Sequence, residues 1–398
     1  MVRRLDTTIE GMDVKTYLND LISKVYQHPR IHVSHEATIT SVAGYVGNFI
    51  TRVETEGRIK QIEHGASVLA TGATEYVPTE YLYNENDAVY THLELGEEIA
   101  KKEDKIVNAE TVVMIQCVGS RDEKRNYCSR VCCSHAVKNA IKLKKINPDM
   151  NIYILFRDMR TYGLREDYYR QAADMDVKFI RYEPEEKPEI EAIEEGGKTI
   201  LRVAVPDPVL GFGLELDADI VSLAAAVIPS ETTSKIAGQF KVTLSPDEFF
   251  KEAHVKLKPV EFAADGVFLC GTAHYPKHIQ ETINQAYGAA GRVLTLLSHD
   301  TVVASGSVCE VNEYDCVSCG ACITACTYGA IEFKETSKGK KAWVNPVLCK
   351  GDGLCNAKCP TNAIILKHFT DDALHGQIDA AVTNEEIMKQ MDAVLEDV

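Results

Sequence analysis

Four cysteines spaced as Cys316-x2-Cys319-x2-Cys322-x3-Cys326, followed by Cys349, Cys355 and the pair Cys359-Pro360, constrain this 398-residue chain more than any other feature in it. Three thiolates this close can hold three corners of an iron–sulfur cubane, while the fourth cysteine of such a run crosses to a second cluster. The spacing assigns Cys316, Cys319, Cys322 and Cys359 to one cluster, and Cys349, Cys355 and Cys326 to another. Each run leads into an Ala-Ile pair, Ala330-Ile331 and Ala363-Ile364, as expected of a duplicated unit. In the second run the place of one cysteine is taken by Asp352. A carboxylate is a harder and less well retained iron ligand than a thiolate. The sequence therefore predicts either a [4Fe-4S] cluster with an oxygen ligand at Asp352 or a [3Fe-4S] cluster, with a solvated Asp beside an empty corner as the alternative. Zinc is a poor rival, because paired x2, x2, x3 spacings that end in Cys-Pro are not those of zinc knuckles.

Residues 306–370 are thus expected to form a bacterial-type dicluster ferredoxin domain of α+β class, followed by a helical tail at 371–398. Eleven of the chain's 13 cysteines fall in two groups. Such abundance suits metal binding in a reducing compartment better than disulfides. Cys270 and Cys309 stand apart and are expected to be small buried side chains. A formal net charge of −16 argues against a nucleic-acid-binding surface. The longest apolar run, Ile220 to Ile228, is too short to span a bilayer, and the first eight residues do not continue into a signal-peptide core. A cytoplasmic protein without transmembrane segments is expected.

The second group is Cys117, Cys128, Cys132 and Cys133. It lies between an apolar run, Thr111 to Gln116, that predicts a buried strand and a helical pattern carried by Ala136, Ala140, Ile141 and Leu143. Further strands are predicted at Asn151 to Phe156, Val177 to Tyr182 and Asp219 to Ala225, so residues 111–230 read as an α/β lobe with a parallel sheet. A strand-to-helix turn favours negative charge, whether phosphate, thiolate or an anionic cluster. Its sequence, Cys-Val-Gly-Ser, lacks the GxGxxG that admits a nucleotide pyrophosphate, so NAD(P)H binding is not expected. From the residues alone, a cubane, a redox-active thiol pair and zinc all stay open for these four thiols.

The flanking segments add a flavin signature. After a helical pattern at Val14 to Val25 and strand-like pieces at Ile31 to Thr40 and Asn48 to Val53, an apolar strand ends in Ala70-Thr71-Gly72. Residues 262–294 run through Val-Phe-Leu-Cys270-Gly271-Thr272-Ala273 into a small-residue helix with Gln280, Thr282 and Gln285. Both stretches resemble the motifs that close the FAD domain of thioredoxin-reductase-like flavoproteins. That resemblance implies an α/β two-dinucleotide-fold protein with an incomplete FAD lobe (1–110 and 231–305) around an NAD(P)-domain-like lobe. It makes Thr71, Gly72, Gly271, Thr272, Ala273, Gln280 and Thr282 the candidate FAD contacts. Thr272 stands where those reductases usually place an Asp. His274 and His278, beside this strand, could tune a flavin, but ordinary surface or core histidines are the simpler expectation.

Cys117-Val-Gly-Ser-Arg121, with Tyr127-Cys128-Ser-Arg-Val-Cys132-Cys133 leading into a Lys-rich helix, resembles the signature of the heterodisulfide reductase HdrA family. The resemblance implies a [4Fe-4S] cluster on Cys117, Cys128, Cys132 and Cys133 beside FAD, hence three clusters in all. It also implies an oxidoreductase subunit of an anaerobic complex that passes electrons between flavin, this cluster and the two ferredoxin-type clusters, with flavin-based electron bifurcation among the family's activities. The implied partners are heterodisulfide reductase B/C-like subunits, a hydrogenase- or dehydrogenase-linked electron-input subunit, and ferredoxin. That family normally opens with a GxGxxG unit for the FAD diphosphate and often carries an inserted ferredoxin unit after the stretch matching Gly44 to Phe49; neither is in this sequence. The flavin lobe is therefore expected to be completed by another chain, or to bind FAD weakly. A non-catalytic electron-transfer adaptor is the competing expectation, and a simple NAD(P)H-dependent disulfide reductase a third, disfavoured by the missing GxGxxG.

Overall fold

In the computed structural model, which describes residues 12–195, 198–303, 306–382 and 389, the apolar run forms strand Thr111–Val118 at the centre of a five-stranded sheet. Its order is Val89–Thr91, Ile220–Ala225, Thr111–Val118, Asn151–Phe156 and Val177–Arg181. Every neighbouring pair is parallel. A parallel sheet is covered on both faces, which is why its strands are apolar throughout rather than alternating. Val112 and Met114 point to helices His92–Lys101, Cys132–Ile146 and Glu166–Asp174, packing with Leu95, Ala136 and Leu143. Val113 and Ile115 point the other way, onto Leu201, Val203 and Val205. Each such fully buried aliphatic side chain contributes about 1.5 to 3 kcal/mol.

That second cover is a three-stranded antiparallel sheet, Glu189–Glu195, Lys198–Asp207 and Phe212–Ala218, which falls in the gap between the strands expected from the sequence. The parallel sheet's edge strand, Val89–Thr91, likewise comes from the segment before residue 110. It leads directly into a helix whose cap is reciprocal: Glu94 N–H donates to Thr91 Oγ1 at 3.3 Å, and Thr91 N–H donates to Glu94 at 2.7 Å. Such a box stabilises a helix start by about 1 kcal/mol.

The flanking lobe begins with helix Val14–Gln27 and an antiparallel sheet of Thr38–Tyr45, Asn48–Thr55 and Arg58–His64. The expected strand from Ile31 starts only at Thr38, where pairing to Glu54 begins. Strand Ser67–Leu69 runs parallel to Val267–Leu269, so the two flavin-type signatures, almost 200 residues apart, end side by side. Phe250 and Phe262 pack beneath them against Leu69 and Leu269. Strand Ala73–Glu75 pairs with Val227–Pro229 and ties this lobe to the parallel sheet.

The C-terminal unit has two short ribbons, Cys309–Val311 with Ile364–Leu366 and Ile331–Thr336 with Gly339–Val344. Two short helices, Ala321–Ala325 and Leu354–Ala357, complete it. The two cysteine runs sit on matching frames 33 residues apart, as Cys316 is from Cys349. Cys316 and Cys349 each donate their N–H to an asparagine carbonyl, Asn312 at 3.1 Å and Asn345 at 3.0 Å. Gly320 and Gly353, with φ of +79° and +73°, turn each loop into its helix. The expected tail forms a helix at Asp371–Val382; 383–388 and 390–398 lie outside the described residues. Among the described residues no helix is long and apolar enough to cross a membrane.

Candidate metal centres and cofactor cleft

Cys117, next to last in the central strand, has a left-handed φ of +63° at a register shift, after which Val118 still pairs with Ala225. The loop after it folds on itself: Arg121 N–H donates to Tyr127 carbonyl at 3.1 Å and Arg125 Nη1 to Gly119 carbonyl at 3.3 Å. Helix Cys132–Ile146 starts without a side-chain cap on its first turn. The turn brings all four thiols within mutual influence. Cys117 is pushed up to about 11 by burial, with Cys133 adding and Arg121 opposing. Cys132 is raised by its hydrogen bond to Cys133 and then by burial, with Cys117 and Cys128 contributing. Cys133, which receives that bond, is lowered to about 7 although burial opposes it. Four thiols that cannot all ionise cheaply by themselves suit a cationic multi-iron ligand, to which they bind as thiolates.

Donors already surround these sulfurs. Arg130 N–H donates to Cys128 Sγ at 3.2 Å, and Arg121 Nη1 lies 3.9 Å from Cys117 Sγ while its Nη2 pairs with Asp158 at 2.6 Å. Outer partners of this kind fix ligand orientation.

The helix that begins at Cys132 also forms a wall of a cleft of about 410 Å3, lined by Val131, Ser134, Glu75, Thr272, Lys277 and His278 among others. That volume is in the range of cofactor sites. Of the candidate FAD contacts, Thr272 lines the cleft, and Gly72, at φ +76°, is next to it: a Cβ there would lie 3.9 Å from Thr272 Oγ1. Gly271 is held by its N–H bond to Gln285 at 3.0 Å. Thr71 is exposed, Ala273 is buried in the core with Leu69 and Leu269, and Gln280 is occupied by Arg165. Thr282 Oγ1, Ser134 Oγ and His278 Nε2 are buried without a hydrogen-bond partner in the protein. Buried polar groups are nearly always paired; Ser134 and His278 line the cleft, so two such orphans there fit a polar ligand.

Sequence reasoning missed Ser134 and Lys277. Lys277 is buried, reaches His274 Nδ1 at 3.3 Å, and is lowered to about 8 by burial, with Arg130 also opposing its charge. A lysine within the otherwise weakly charged run His274-Tyr-Pro-Lys277-His278 was the available signal. His278 is lowered to about 4 by burial and Arg165, so it is neutral at pH 7. His274 is an ordinary paired core histidine, bonded to Glu252 at 2.8 Å.

In the C-terminal unit Cys316, Cys319, Cys322 and Cys359 line one small cavity together. Ala330 N–H donates to Cys326 Sγ and Ala363 N–H to Cys359 Sγ, both at 3.3 Å. For Cys359, burial is outweighed by donors from Thr361, Ala363 and Ile364, which hold the thiol below its usual value. Cys349 and Cys355 are buried in one core with Cys309, and Cys326 packs against it. Asp352 sits exposed on its loop, where its Oδ1 accepts the Leu354 N–H at 3.2 Å. Cys309, expected to be a bystander, is instead next to Cys355, Sγ to Sγ 3.5 Å. Among the described residues no group of three or more His, Cys, Asp or Glu side chains is placed to hold a single metal ion.

A family profile described as a 4Fe-4S dicluster domain matches residues 315–363. The chain is 37% identical over 347 residues to the A subunit of the H(2)/formate:CoB-CoM heterodisulfide,ferredoxin reductase of Methanococcus maripaludis, covering 83% of this chain and 52% of that protein. It is also 37% identical over 343 residues to the iron-sulfur A subunit of the CoB--CoM heterodisulfide reductase of Methanocaldococcus jannaschii, covering 81% of this chain and 51% of that one. The chain thus spans about half the length of the curated relatives it matches. Among solved structures, thioredoxin reductase of T. acidophilum aligns with a TM-score of 0.46 and 14% identity over 71% of this chain and 81% of that one.

Proposed function

This chain is a relative of the heterodisulfide reductase HdrA proteins, and from that premise we propose that it is an iron–sulfur flavoprotein subunit that relays electrons within a larger oxidoreductase. The observation that carries the proposal is the shared wall: the helix that begins with Cys132 and Cys133 is the one whose Ser134 lines the Thr272 cleft. A flavin in the cleft and a cluster on Cys117, Cys128, Cys132 and Cys133 would then be immediate neighbours, and the ferredoxin-type sites carry the path onward.

When bound, these groups supply one- and two-electron redox chemistry; the chain supplies geometry and charge. Thr272, Gly72 and Gly271 shape the approach to the flavin. Lys277 offers a buried cation to an anionic ring or phosphate, and Ser134, Thr282 and His278 offer unpaired hydrogen-bonding atoms. Arg121 and the Arg130 amide hold Cys117 and Cys128 in place, and burial excludes water from Cys132 and Cys133. Three clusters are proposed, the third being the one near Asp352. Electrons are exchanged with ferredoxin or with other redox subunits, including heterodisulfide reductase B/C-like or hydrogenase- and dehydrogenase-linked ones.

The test is iron, sulfide and flavin analysis with EPR on protein purified anaerobically, alone and with its partners. Flavin together with about twelve irons, three cubanes' worth, supports the proposal. Iron without flavin in every preparation would favour the adaptor reading, and a chain free of both would refute each.

A further inference from the structure

We propose that Cys309 is the fourth thiolate of the second ferredoxin-type cluster, joining Cys326, Cys349 and Cys355 in the role that Asp352 leaves vacant. The inference rests on the reading of this unit as a dicluster domain and adds a ligand from outside it, since the family profile spans only 315–363.

Position carries the argument. Cys309 is 4% exposed and Cys355 5%, their sulfurs 3.5 Å apart. The Cys309 N–H donates to Cys349 Sγ at 3.4 Å, so strand Cys309–Val311 is held to the loop of the second run at the ligand sulfur itself. Buried thiols packed against other ligand thiols are placed to coordinate, whereas an inert cysteine packs against hydrocarbon.

The internal repeat makes the same assignment independently. With the 33-residue offset, Cys309 is the counterpart of Ala342, Val311 of Val344, Cys349 of Cys316 and Cys355 of Cys322. Ala342 lines the cavity formed by Cys316, Cys319, Cys322 and Cys359. At the first site the loop position holds a cysteine, Cys319, and the strand position is Ala342, contributed by the other half. At the second site the loop position is Asp352 and the strand position is Cys309, again from the other half. One thiolate has moved from loop to strand, so each site retains four sulfur donors. Asp352 meanwhile is exposed and accepts the Leu354 N–H, the work of a helix-start residue. A soft thiolate already in the core outcompetes a hard carboxylate for cluster iron.

Four variants of the full chain, prepared anaerobically, test this: Cys309→Ala, Asp352→Ala, Asp352→Asn, and the double variant Cys309→Ala with Asp352→Cys. The readouts are iron and sulfide per chain and EPR of oxidised and reduced protein. Cys309→Ala is expected to lose one to four irons, with a three-iron EPR signal in the oxidised protein if one corner alone is lost. Both Asp352 variants are expected to keep wild-type iron and spectra. The double variant is expected to recover the four-iron spectrum, which separates ligand loss from misfolding. Unchanged iron and EPR in Cys309→Ala, loss of iron in the Asp352 variants, or a Cys309–Cys355 disulfide in iron-replete protein would each overturn the assignment. Wild-type protein with no iron in this unit would instead refute the dicluster reading beneath it.

Discussion

Replacing Gly119 with alanine strikes the turn that groups Cys117, Cys128, Cys132 and Cys133, and its cost can be worked from two separate causes. Gly119 has φ +69°, where an L-residue costs about 1 to 2 kcal/mol. A Cβ there would also overlap Tyr76 at Cδ1 and Cε1. The ring cannot retreat freely, because Arg125 lies over it at 4.4 Å to the centroid. Overpacking of this kind costs about 1 to 3 kcal/mol. Together they make about 2 to 5 kcal/mol of local opening, or a rise of about 30-fold to over 1,000-fold in exchange of the amides the turn protects. Those amides are Ser120, bonded to Cys117 carbonyl at 3.4 Å, and Arg121, bonded to Tyr127 carbonyl. The assay is hydrogen exchange by mass spectrometry on peptides covering 117–127, with iron content measured in parallel. Adding Tyr76→Ala should remove the steric part and leave about a tenfold effect, the φ cost alone. A single-variant effect below about threefold, or one that survives intact in the Tyr76→Ala background, would refute the reasoning.

Cys132→Ala should remove about four irons while leaving flavin and the ferredoxin-type EPR signals, as iron analysis would show; concurrent loss of flavin would mean that cleft and cluster cannot be separated. Lys277, lowered from 10.5 to about 8 by burial, binds fewer protons folded than unfolded between those values. Stability should therefore rise as pH climbs from about 8 toward 10.5, and Lys277→Met should flatten that rise and stabilise cofactor-free protein at pH 7 by at most about 3 kcal/mol; urea midpoints across pH check it. Ser222→Ala removes the buried bond to His92 Nδ1 at 2.7 Å and should cost about 1 to 3 kcal/mol, seen as a lower urea midpoint with unchanged slope.

Much of this arrangement was legible because it rests on local signals. The apolar run at Thr111, the helical pattern after it and the strand Asn151–Phe156 announce a parallel sheet by their order, since strand, helix and strand at this spacing form a parallel crossover. The sheet Glu189–Ala218 was hidden because its outer face is charged, as in Glu191, Arg202, Glu215 and Asp217, and turns between such strands resemble loop. The cysteine spacings were legible for the opposite reason: ligands borne on one tight loop must be close in sequence. Cys309 escapes that logic. Its partner cysteines lie 40 and 46 residues away, and it reaches them only through the pairing of its strand with Ile364–Leu366. Ser134 was likewise invisible, and the run around Lys277 marked that residue without placing it, since only the fold puts the helix start at Cys132 opposite the turn after Gly271.

Arg130 is where these parts join. Its backbone N–H donates to Cys128 Sγ at 3.2 Å, while its guanidinium reaches Pro276 carbonyl at 3.3 Å, Tyr162 hydroxyl at 2.8 Å and Glu281 at 2.7 Å. Glu281 in turn accepts the His278 N–H at 2.9 Å at the start of the helix that bounds the cleft. One residue thus touches a candidate cluster ligand through its main chain and the cleft wall through its side chain. Hydrogen bonds to ligand sulfur are among the terms that set a cluster's potential, so a potential-setting bond and a contact to the cleft wall meet in this one residue. Arg130 makes these contacts from a left-handed backbone, φ +62°, a conformation uncommon for a residue other than glycine.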